Sequence, residues 1–202
     1  MNPMLNQTIR ALLASTTVIT LLLLTGCAHP ISLAPDLSKI PPASSKIAKT
    51  AGYVIAETNR WLEVTTPGGG GDKVRYFPYK DLEPGFRKAL GEVFDSVVKL
   101  TGPEDTATIT AQNISFIITP SITTTSSSSS ALTWPPTSFT VELNCAVIDA
   151  RSQAVAQIKS QGQGQATYDE FKHEFALAAR RASEQALANL VNALAAAPEL
   201  RR

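Results

Sequence analysis

From Phe139 to Val147 apolar side chains fall at every second residue (Phe139, Val141, Leu143, Cys145, Val147), and that period commits a chain to a half-buried β-strand. The strand runs from Ser138 to Asp149. A short connection, Asp149-Ala150-Arg151-Ser152, leads into a weaker strand from Ala154 to Gln161, which makes the pair an antiparallel hairpin. Thr106 to Thr119 reads as a third long strand, with Ile114, Phe116 and Ile118 on one face. Shorter strand-like runs cover Gly52 to Glu57, Arg60 to Thr66, Val74 to Tyr79 and Ser96 to Leu100.

Two segments carry helical periodicity instead. Asp81 reads as an N-cap, followed by Leu82, Phe86, Leu90, Val93 and Phe94 on one face out to about Asp95. Thr167-Tyr168-Asp169-Glu170 reads as a capping box opening one long helix to about Ala197. Its stripe is Phe171, Phe175, Ala178, Ala182, Ala186, Leu190 and Leu194. Burying both stripes is simplest in an α+β fold, an antiparallel sheet with two helices packed on one face.

The N-terminus has a different character. Arg10 is the only charged side chain before an apolar run from Ala11 to Leu24, and Leu21-Leu22-Leu23-Leu24-Thr25-Gly26-Cys27 ends it in small residues and a cysteine. This is the three-part pattern of a secretory signal peptide, with cleavage expected just before Cys27. The run is too short and too rich in Ser15, Thr16, Thr17 and Thr20 for a membrane span, which needs roughly 20 apolar residues. The expected organisation is a signal peptide over 1–26, a flexible tether over 27–46 broken by Pro30, Pro35, Pro41 and Pro42, and one domain over 47–202.

Composition narrows the chemistry. With 18 Lys and Arg against 17 Asp and Glu there is no basic surplus, and nucleic acid is not an expected partner. Apart from Cys27 at the expected cleavage site, Cys145 is the one other cysteine, and its place in the alternation makes it a small core hydrophobe. Gly68 to Gly71 lack the Lys-Ser or Lys-Thr of a P-loop and read as a mobile connection. Gly162-Gln163-Gly164 lacks the third glycine of a dinucleotide fingerprint. His173 lacks companions for a metal site, and no Gly-x-Ser-x-Gly or carboxylate pair is present. No catalytic residue, metal or cofactor is nominated.

One loop stands out, from about Pro120 to Thr137. It contains five consecutive serines, Ser126 to Ser130, and then Leu132, Trp134, Pro135 and Pro136. Polyserine cannot fold alone. Trp134 with Pro135 and Pro136 is a candidate binding element, a rigid aromatic anchor for a protein partner or a headgroup layer; alternatively Trp134 folds back and caps the sheet edge.

The lipobox ending in Cys27 resembles that of bacterial lipoproteins, whose cysteine is acylated; Ala28 after it, in place of aspartate, implies by that resemblance sorting to the outer membrane. With the tether, the Leu82-Phe86-Leu90-Phe94 helix passing into Val97-Val98, a hairpin and a C-terminal helix, the layout is similar to small periplasmic lipoproteins of the YajG-like group and to auxiliary lipoproteins of envelope lipid transporters. The resemblance implies a membrane-anchored periplasmic domain that binds or scaffolds an envelope protein without catalysis. The alternative is a lipid- or small-molecule-binding auxiliary of a transporter.

Overall fold

The computed structural model describes residues 27–202; the signal peptide expected over 1–26 lies outside the described residues. Eight strands and five α-helices follow in chain order. They are β1 (Ala28–Pro30), β2 (Ile47–Tyr53), α1 (Glu57–Arg60), β3 (Val64–Pro67), β4 (Lys73–Tyr76), α2 (Pro78–Val93), β5 (Phe94–Lys99), α3 (Thr106–Ala111), β6 (Ile114–Ser127), β7 (Ser138–Asp149), β8 (Ala154–Gln165), α4 (Tyr168–Phe171) and α5 (Leu177–Ala196). The fold is α+β.

The main sheet has the order β5-β2-β6-β7-β8. It is mixed: β2 runs parallel to both β5 and β6, whereas β6, β7 and β8 form an antiparallel meander. Strand β2 feeds β5 by a crossover through α2, which forces the parallel pairing. Helices α2 and α5 share the main core with one face of this sheet, where Phe86, Leu90, Phe116, Phe139, Leu143, Leu187 and Leu190 are buried. On the opposite face Ile114 and Ile117 join Val54, Leu100 and Ile109 in a smaller cluster under α3. A second sheet, β1-β4-β3, flanks the first. Tyr76 on β4 ties the two together, its hydroxyl 3.1 Å from Thr66 Oγ1 and 2.8 Å from Thr124 Oγ1 on β6.

Several sequence expectations change. Residues 28–46 are not a free tether. Their prolines leave room for only one short 3-10 turn, Leu37–Lys39, and do not prevent extended packing: β1 pairs with β4, Ile31 N–H donates to Arg75 O at 3.0 Å, and Leu33 and Ile40 are buried. Each buried aliphatic contributes about 1.5–3 kcal/mol, enough to hold the strap against the body. Asp81 accepts from Leu33 N–H at 2.8 Å, so it fastens this strap and does not cap α2, which starts earlier on Pro78. Thr106 to Ala111 is helix, because the Asp105 carboxylate accepts from Thr108 N–H at 3.2 Å and outweighs a β-branched composition. The polyserine begins inside β6, where Ser126 pairs with Phe139 and Ser127 with Ser138.

The long C-terminal helix is broken into α4 and α5. Its capping box is present at Thr167 and Glu170. Arg181 Nη2 donates to Glu170 at 2.8 Å, and with the Thr167 N–H and hydroxyl it holds that carboxyl at about 2. A depressed pKa stabilises the fold above the ordinary value of 4.5 and loses that contribution as pH falls towards 2. Glu170→Gln is expected to melt below wild type at neutral pH and to converge with it as pH approaches 2 in thermal melts. Curves that stay parallel would place the carboxylate outside the folding balance.

Candidate functional site at the Trp134 corner

The β3–β4 turn builds the floor of the corner. Gly70 and Gly71 have φ of +63° and +87°, a region that side chains disfavour, and Gly68 N–H donates to Asp72 O at 2.9 Å to close the turn. The loop after β6 lies directly on it: Gly69 N–H donates to Trp134 O at 2.8 Å and Gly70 N–H to Ser130 O at 3.3 Å. A Cβ on Gly68 or Gly69 would overlap the carbonyl oxygens of Trp134 and Thr133. Gly68 to Gly71 therefore form a seat for the Trp134 loop and not the mobile connection expected from sequence.

Side chains from distant parts of the chain then converge on Trp134. His29 of β1 stacks on its ring at 4.3 Å between centroids and 20° between planes. Phe175, from the break between α4 and α5, packs at 4.9 Å and 58°. His29 Nε2 lies 2.9 Å from Asp72 Oδ2, which fixes the imidazole to the turn. Trp134 is half-buried, so it covers the sheet edge and also presents an open side. Pro135 and Pro136 are buried. Their rings seat the loop and present little surface beside Trp134.

The rim around Trp134 is apolar and open. Leu132 is 95% exposed, Tyr168 63% and Phe175 50%. These side chains border a shallow depression of about 640 Å³ floored by Phe171 and edged by Lys172. Cys27 is exposed at the same corner, because its carbonyl accepts from Lys73 N–H at 3.0 Å at the end of the glycine turn. The sequence named Cys27 and Trp134 separately. His29, Tyr168 and Phe175 were missed, since only the fold brings β1 and the helix break together.

Cys145 faces the core, where burial pushes its thiol up to about 12, so thiolate is suppressed. Among the described residues no group of three His, Cys, Asp or Glu converges on a point. His173 sits in the turn after α4. Sequence reasoning also missed a polar cluster around buried Glu83, away from this corner. There Glu83 accepts from Arg60 at 3.0 Å, Lys99 at 2.7 Å and the Tyr53 hydroxyl at 3.3 Å. Beside it Trp61 is exposed, with Lys80 Nζ 4.9 Å above its ring.

No protein-family model and no curated protein matches this sequence. Among solved structures, a Xanthomonas campestris protein of the family DUF330 aligns with a TM-score of 0.44 at 13% identity, over 84% of this chain and 91% of that one. A variant PelC dodecamer from Paraburkholderia phytofirmans aligns with a TM-score of 0.38 at 13% identity, over 72% of this chain and 94% of that one. Likeness at this level assigns no role to any residue.

Proposed function

We propose that this chain is a lipoprotein of the outer membrane, anchored through acylated Cys27 with its domain in the periplasm, and that it acts as a non-catalytic interaction or assembly module of the envelope. The observation that carries the reading is the position of Cys27, exposed and at the rim of the folded domain, directly after a signal-like apolar run. The resemblance in layout to YajG-like lipoproteins agrees with it.

The alternative, a lipid-carrying auxiliary of a transporter, would need an apolar groove between helix and sheet. That seam is closed where α5 meets β8: Gly162 and Gly164 let the backbone of Ala178, Ala182 and Ala186 lie against the strand with no room for a Cβ. A packed seam supports the interaction module.

The anchoring reading is tested by labelling. Cells fed radiolabelled palmitate are expected to yield a labelled wild-type protein whose intact mass corresponds to a chain starting at Cys27 plus its acyl groups. Cys27→Ala is expected to be unlabelled. A wild-type protein that is unlabelled, or label that persists in Cys27→Ala, would sink the reading.

A further inference from the structure

We infer that the Trp134 corner is a second membrane contact: Leu132, Trp134, Tyr168 and Phe175 sit in the interfacial layer of the same bilayer that holds the Cys27 acyl chains, and they fix the tilt of the domain. The contact rests on the acylated Cys27 proposed above.

The geometry leaves little freedom. Acyl chains on Cys27 place that residue at headgroup depth, and no tether intervenes, because Cys27 O is already bonded to Lys73 N–H at 3.0 Å. His29 lies two residues along a strand, roughly 7 Å away at the usual rise. From His29 the ring of Trp134 is 4.3 Å distant, and from Trp134 that of Phe175 is 4.9 Å. The aromatic rim therefore meets the bilayer wherever the anchor does. Its chemistry suits that layer: amphipathic Trp and Tyr rings favour the headgroup level, and the bilayer takes up the apolar side chain of Leu132, 95% exposed in the free domain. Acyl chains alone hold the protein to the bilayer but leave it free to swivel. Four further side chains at the same depth remove that rotation.

The exposed apolar residues at the opposite end of β3 do not share this position. Trp61 and Leu62 precede β3, whereas the glycine turn follows it, so the strand separates them from the anchor.

The test uses the full-length protein taken from an envelope fraction, its acylation checked by intact mass, in vesicles of phosphatidylethanolamine and phosphatidylglycerol. Trp61→Phe leaves Trp134 as the single tryptophan. With bromine-labelled lipids, Trp134 is expected to lose about half its emission, most strongly with bromines near the top of the acyl chains. Leu132→Asp, at a position too exposed to affect folding, is expected to recover most of that loss. Acylated protein whose Trp134 is unquenched overturns the membrane contact, leaves the anchor standing, and gives the corner to a protein partner. Quenching that is indifferent to Leu132→Asp overturns it as well. Protein with an unmodified Cys27 overturns the anchor itself, and the contact falls with it.

Discussion

Gly164→Val is expected to abolish or severely weaken folding, with a loss of about 3 kcal/mol or more, at or above the top of the range for overpacked cores. Gly164 lies on β8 opposite Phe139, on the face that α5 covers. A Cβ there would overlap Ala178 O and Ala182 N, and one at Gly162 would overlap Ala182 O and Ala186 N. These are backbone atoms of a helix, so no rotamer change relieves the collision; the helix must lift. Lifting it exposes a seam in which Ala178, Ala182, Ala186, Leu190 and Leu194 are each 0% exposed. In thermal denaturation a loss of that size lowers Tm by roughly 10 °C in a domain of this length. Gly91→Ala provides the contrast. Gly91 lies in α2 with nothing within 4 Å of an added Cβ, so alanine there should raise stability by about 0.5–1 kcal/mol. If Gly164→Val melted within about 2 °C of wild type, the close approach of α5 would not be a requirement of the fold.

Tyr76 supplies the second large effect. Its ring is 2% exposed and meets Phe139 edge-on at 5.5 Å, and its hydroxyl sits between Thr66 and Thr124. Tyr76→Ala removes both ring and hydroxyl and should cost about 3–5 kcal/mol. Tyr76→Phe keeps the ring. Its expected cost is about 1 kcal/mol, because Thr66 retains Ser126 at 2.6 Å while Thr124 loses its tyrosine partner. The two variants should also differ in where the fold loosens. Tyr76 is one of the ties between the two sheets, with Ser126 on Thr66 another, so Tyr76→Phe should speed amide exchange in β1 and β4 before the meander of β6, β7 and β8 responds. Uniform acceleration across both sheets would mean that the small sheet has no separate opening.

What could be read from the sequence follows how local the cause was. Strand β7 has the bounds that alternation predicts, Ser138 to Asp149, because a period of two is a property of consecutive residues. The stripe of α2 and the box at Thr167 were legible for the same reason. Thr106 to Ala111 went to the wrong class because a single cap, Asp105, outweighed four β-branched residues. The strap over 28–46 was misread because burial of Leu33 and Ile40 depends on a groove that forms only after α2 and α5 have packed. The corner was half legible. Trp134 in a serine loop and Cys27 after a hydrophobic run are local signals, but their convergence depends on the parallel pairing of β1 with β4, and β1 is three residues long. The four glycines had a use that local rules could not give, since the loop they seat arrives from the far end of β6.

The early start of ordered structure sets a sequence of events. In the finished fold residues 28–30, next to the proposed processing site at Cys27, are paired with β4. The cleavage and acylation proposed there would have to precede that pairing or wait for β1 to peel away. Three residues at the edge of a small sheet peel readily, whereas Leu33, wholly buried and bonded to Asp81, marks where the peeling stops. Only these first residues of the strap, and not its buried remainder, would open to such processing.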